Sequence, residues 1–147
     1  MLEHFRNITK GENLEIDWFV SEGRMGTHWM PQDISPIFTI HSSSDVTHAD
    51  DTNQAVKCMI ESEVDLILYA GGDGTTRDVV SALSKYGKPN LPIIGVPTGV
   101  KMHSGCFASS PKAAAEVLSA WLNQDLLLSS TEVLDLDEEL YRQGKWV

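Results

Sequence analysis

Leu66-Ile67-Leu68-Tyr69-Ala70 runs directly into Gly71-Gly72-Asp73-Gly74-Thr75-Thr76-Arg77-Asp78, and this stretch decides the fold. The apolar run is too short for a helix and is hydrophobic on both alternating sets of positions. That pattern fits a strand buried on both faces, as in a parallel sheet. The glycines that follow end the strand and give the backbone access to positive φ and to close approach by a ligand. Thr75-Thr76-Arg77-Asp78 fits a capping box, so the spacing predicts a helix opening there, with Val79, Leu83 and Tyr86 on its inner face and Gly87 as its stop. Unpaired N–H groups and the positive end of a helix dipole would then lie beyond the carboxyl end of a strand, where open parallel sheets bind ligands and anions in particular. A plain tight turn would not call for three glycines and an acid together, and the loop is neither a Walker A sequence nor a GxGxxG fingerprint. Asp73 is costly beside a phosphate unless it holds a metal ion or takes a proton from a nucleophile.

Working outward, the same alternation of strand and helix continues. Residues 14–20 and 36–40 read as strands, with a short helix interrupted near Pro31 between them. Thr47-His48-Ala49-Asp50 reads as the cap of a helix whose buried stripe is Ala55, Val56, Met59 and Ile60. Residues 91–96 form the next strand, and Ser110-Pro111 marks a helix start with Ala113, Val117, Leu118 and Trp121 inward. Residues 132–137 alternate like a last strand. The order predicts an α/β fold, a doubly wound parallel sheet with helices on both faces, in a single domain spanning 1–147.

Composition limits the function classes. The chain has 147 residues, 41% of them hydrophobic, with 11 Lys+Arg against 21 Asp+Glu for a net charge of −10. The apolar fraction excludes global disorder, and the acidity argues against nucleic acid and anionic membranes as partners. A bound phosphate must therefore be met by local N–H groups and a few placed cations. No apolar run or N-terminal pattern suggests a membrane span or signal peptide, and Cys58 and Cys106 form no CxxC pair, which together read as a cytoplasmic protein with reduced thiols. Sheet edges left unpaired would favour a homo-oligomer.

The second candidate segment is Gly95-Val96-Pro97-Thr98-Gly99-Val100-Lys101-Met102-His103-Ser104-Gly105. It follows a strand and so should reach the same sheet edge as Asp73. Lys101 and His103 can neutralise phosphate there, or be a solvated side chain and a structural histidine. Arg77 can reach phosphate or pair with Asp78. The acidic run at 135–139 suits the polar face of a strand better than a Mg²⁺ site, His4, His28, His41 and His48 have no zinc spacing, and Trp18, Trp29, Trp121 and Trp146 read as core or interface residues. No metal ligand is assigned.

Residues 68–75 resemble the GGDGT signature of NAD kinases, diacylglycerol-type lipid kinases and, more distantly, phosphofructokinases. Gly23-Arg24-Met25-Gly26, Asp50-Asp51-Thr52, residues 95–105 and residues 132–139 are similar to the ATP-NAD kinases of the AcoX type. The resemblance covers most of the chain from about Leu14 onward. It implies phosphoryl transfer from ATP, or from inorganic polyphosphate, to a hydroxyl such as the NAD ribose 2′-OH, with Mg²⁺ or another divalent cation assisting. It also implies that Asp73 is catalytic, and that Gly71, Gly72, Gly74, Thr75, Gly95, Gly99 and Lys101 bind nucleotide and phosphate. Family members usually begin with a strand and an Asn-Pro-x-Ala-Gly-like segment and continue into a β-rich C-terminal domain. The chain therefore reads as incomplete at both ends, with 131–147 leading into that domain and with weak or no activity in isolation. A lipid or small-polyol kinase and a non-catalytic nucleotide-sensing domain are the alternative readings.

Overall fold

The strand read before the glycines forms as β3 (Ile67–Gly71) and pairs in parallel with β4 (Ile93–Pro97), Ile67 opposite Ile93 and Gly71 opposite Pro97. The computed structural model describes residues 1–32, 34, 36, 38–40, 49–98, 104–131 and 133. Ahead of β3 come α1 (Leu2–Ile8), β1 (Phe19–Ser21), two 3₁₀ turns (Gly23–Met25 and Thr27–Trp29), β2 (Phe38–Ile40) and α2 (Ala49–Glu61). Between and after the central strands come α3 (Asp73–Lys85) and α4 (Pro111–Leu122). β1 and β2 also pair in parallel, so the described strands form two two-stranded parallel sheets, β1–β2 and β3–β4.

Strand alternation sorts the core into two layers. Ile67, Tyr69 and Ile93 face α2 and α3, where they pack with Val56, Val79, Ala82 and Leu83. Leu68, Ile94 and Val96 face the other way, onto Phe5 of α1 and Ala114, Ala115 and Leu118 of α4. Helices thus cover both faces of the central pair, as the two-sided hydrophobicity of 66–70 requires. Each fully buried Val or Leu contributes about 1.5–3 kcal/mol. Ala114 and Ala115 of α4 are fully buried, and their small size lets that helix sit close to β4.

Helix ends follow local chemistry. Ser110 Oγ accepts from the Ala113 N–H at 3.0 Å, with Pro111 at the first helical position. At the end of α3, Gly87 takes φ +77°, the Lys88 N–H bonds the Leu83 carbonyl at 2.9 Å, and the Gly87 N–H bonds the Ser84 carbonyl at 3.3 Å, a Schellman closure.

Several expectations change. The strand read over 14–20 shrinks to Phe19–Ser21, because β2 supplies ladder partners only there; Leu14, Ile16 and Trp18 instead pack against the α1–α4 layer. The interrupted helix near Pro31 is the pair of 3₁₀ turns, and Trp29 within them is 70% exposed rather than core. α1, which the sequence reading did not anticipate, docks through Phe5, set edge-on to Trp18 with ring centroids 6.2 Å apart. Thr47, Trp146 and the strand read at 132–137 fall outside the described residues or their described elements. No helix among the described residues is long and apolar enough to cross a membrane.

Candidate functional site

α3 begins at Asp73, three residues earlier than the capping-box reading placed it. Gly72 is the N-cap in an extended conformation (φ −115°, ψ −162°) and, being glycine, offers no side-chain cap. Thr75 is therefore a helical residue and not a cap. Positive φ is absent from Gly71, Gly72 and Gly74, so left-handed backbone is not what these glycines provide. What they provide is space, in two different senses. A Cβ at Gly71 would lie 2.5 Å from Thr75 Oγ1 and 2.6 Å from Thr75 Cβ, because the first turn of α3 folds back over the strand end. At Gly72 and Gly74 a Cβ would meet nothing within 4 Å. Among the described residues, therefore, no atom stands within 4 Å of the Cβ positions of Gly72 and Gly74 at the N-terminal end of α3, the end of a helix that favours an anion.

Asp73 is half-buried, and its Oδ1 accepts the Ser104 N–H at 2.8 Å. This bond joins the turn after β3 to the segment after β4, so the two loops do share one sheet edge. Ser104 itself is 5% exposed. Just below, the Tyr69 hydroxyl lies 2.7 Å from Thr76 Oγ1 and 3.1 Å from Cys106 Sγ. Thr76 is fully buried and its hydroxyl donates to the Gly72 carbonyl at 3.0 Å. Burial raises the Tyr69 phenol above its ordinary value, and the neighbouring Cys106 and Asp73 act in the same direction. Tyr69 thus stays a neutral hydrogen-bonding group.

Gly95 occupies the middle of β4, where its N–H bonds the Cys106 carbonyl at 3.0 Å and its carbonyl accepts from the Ala108 N–H at 3.1 Å. A Cβ on it would lie 2.6 Å from Phe107 Cδ1 and 2.9 Å from the Tyr69 hydroxyl. Its place is against these rings, which stand edge-on with centroids 6.0 Å apart. Arg77 lies 3.7 Å from Asp78, the ion pair that was its alternative reading. Gly99, Lys101 and His103 lie outside the described residues. Thr75 stands in the first turn of α3 with its side chain against Gly71.

Among the described residues no group of three or more His, Cys, Asp or Glu gathers to hold a metal ion. A divalent cation that arrives on nucleotide phosphates needs only one or two protein carboxylates, and Asp73 matches that donor set. The sequence reading missed Tyr69, Thr76, Ser104 and Cys106 as members of the site. A tyrosine in an otherwise aliphatic strand and a threonine four residues after Gly72 were visible signals; nothing local marked Ser104 or Cys106, whose roles depend on how β4 and the segment after it return to β3.

No curated protein and no solved structure matches the chain. Residues 16–126 match the family model of the ATP-NAD kinase N-terminal domain, a span that includes every element from β1 to α4 together with the Asp73–Ser104 contact. The chain belongs to the ATP-NAD kinase family, of which these residues form the N-terminal domain.

Proposed function

We propose that this domain takes part in phosphoryl transfer from ATP to an alcohol, with the 2′-hydroxyl of the NAD ribose as acceptor. The observation that carries the reading is the position of Asp73, a carboxylate at the head of α3 beside Gly72 and Gly74, whose Cβ positions are open among the described residues. In this reading the N–H groups of the first turn of α3 hold phosphate oxygens of the donor, and the glycines let that phosphate approach the backbone. In this reading Lys101, three residues before Ser104 in sequence, supplies positive charge to the donor phosphates. Inorganic polyphosphate would meet the same donors. Bound Mg²⁺ would neutralise charge on the transferring phosphate.

Asp73 orients the acceptor hydroxyl and receives its proton as the new oxygen–phosphorus bond forms and the bond to the leaving diphosphate breaks. General-base assistance of this kind is worth about 10²–10⁴-fold. Asp73→Asn keeps an oxygen that can accept from the Ser104 N–H, so it should fold and bind ATP while NADP formation from NAD, ATP and Mg²⁺ falls by about that factor. Equal turnover by the variant would remove Asp73 from the chemistry.

The Ser104 contact favours one second reading. Asp73 Oδ1 already serves as a structural acceptor between two loops, as it would in a domain that binds nucleotide without turning it over. Calorimetric binding of ATP by the full-length protein with no transfer to any hydroxyl would select that reading. Transfer to a lipid or polyol in place of NAD would instead change the acceptor and keep the site.

A further inference from the structure

Thr76, Tyr69 and Cys106 each carry a single hydroxyl or thiol proton. The Gly72 carbonyl can only accept, and it takes the Thr76 proton. Tyr69 must then donate to Thr76 Oγ1, and Cys106 Sγ–H to the Tyr69 oxygen. The result is one directed chain, from Cys106 through Tyr69 and Thr76 to Gly72, in which every member satisfies the next. It spans the floor of the site, from the segment after β4 to the residue immediately before Asp73. The same segment is fixed to β4 through the backbone of Gly95, and the missing Cβ of Gly95 leaves no slack around the Tyr69 hydroxyl and Phe107.

We propose that Tyr69 is a positioning residue: its hydroxyl ties Cys106 to the glycine turn and thereby holds the Ser104 N–H where it orients the Asp73 carboxylate. Ser104 is two residues from Cys106, so a shift of the thiol carries the Asp73 partner with it. The catalytic consequence rests on the phosphotransfer reading above, whereas the structural consequence does not. Removing the hydroxyl strands the Cys106 donor and frees the segment to move relative to Asp73. Misplacing a reacting group by about 1 Å costs on the order of 10²-fold in rate.

The test has two arms. Amide hydrogen exchange on the 147-residue chain compares Ser104 with Ala114 of α4 in Tyr69→Phe, Cys106→Ala and Cys106→Ser. Ser104 should exchange at least about tenfold faster in the first two and as in the parent in Cys106→Ser, whose hydroxyl still donates, while Ala114 stays unchanged. In the turnover arm, on the full-length protein, Tyr69→Phe and Cys106→Ala should lower kcat about 10–100-fold with little change in KM for ATP, and Cys106→Ser should restore kcat. Unchanged Ser104 exchange in the folded variants overturns the proposal, as does equal acceleration at Ser104 and Ala114. Should Tyr69→Phe fail to fold, the Cys106 pair decides alone. A full-length parent protein that turns over no phosphate donor refutes the phosphotransfer reading and leaves the exchange arm to judge Tyr69.

Discussion

One residue type does two different jobs between Gly71 and Gly74. Gly71 is required because Thr75 occupies the volume a Cβ would need, whereas the Cβ positions of Gly72 and Gly74 meet nothing among the described residues. Their substitutions should therefore separate stability from binding. Gly71→Ala forces Thr75 to move and should cost about 1–3 kcal/mol in urea unfolding. Gly74→Ala, in the first turn of α3, should leave stability unchanged or raise it by up to about 0.5–1 kcal/mol, since alanine has less backbone entropy to lose in a helix. Calorimetry should nevertheless find weaker ATP binding by Gly74→Ala, because its methyl enters the space proposed for phosphate. Equal losses of stability in both variants would contradict this division. The sequence announced that glycine mattered here, and of the two causes it suggested, positive φ and close approach of a ligand, the first is absent. Positive φ is a property of one residue's torsions, but the clash at Gly71 belongs to a helix turn folding over a strand end, which no local pattern displays.

Elements were legible where their signals are local. Ser110-Pro111 gave the start of α4, and Gly87 gave the end of α3, because a cap and a left-handed closure each involve a few neighbouring residues. Ser110→Ala removes the acceptor for the Ala113 N–H and should lower stability by about 1 kcal/mol; Ser110→Asp, which keeps an acceptor, should restore most of it. Thermal unfolding of the two variants checks this. α1 was not legible because its single buried residue, Phe5, gives no helical period, and the helix is held by Trp18 and α4. β1 was overextended for a related reason. Alternation at 14–18 is real and buries Leu14, Ile16 and Trp18 in part, yet a strand needs a partner's hydrogen bonds, and β2 offers them only to Phe19–Ser21. The start of α3 moved to Asp73 because Gly72, extended and without a side chain, can head the helix before any threonine does.

At the scale of the whole molecule, the two-layer core explains why the site forms where it does. β3 and β4 run in parallel between α2–α3 on one face and α1–α4 on the other, so the turns after both strands emerge at the same edge. The alternating order of strands and helices made that meeting legible in advance, while its specific contacts, Asp73 to Ser104 and Tyr69 to Cys106, arise only from the register of β4 with its neighbours. Tyr69 connects this architecture to the pH dependence of folding. In the unfolded chain its phenol ionises near its ordinary value of 10.0, while in the fold burial, reinforced by Cys106 and Asp73, pushes ionisation higher. Above about pH 10 the unfolded state therefore releases a proton that the folded state keeps, so ΔG of unfolding falls as pH rises. Below that pH the contribution is fully present and flat. Tyr69→Phe carries no such proton, and the other alkaline titrations, including the lysines, are common to both proteins. Urea midpoints measured from pH 9 to 11 should thus fall more steeply in the parent than in Tyr69→Phe, with the two curves converging as pH increases. Parallel curves would mean that the Tyr69 phenol ionises equally easily in both states and is not held inside the fold.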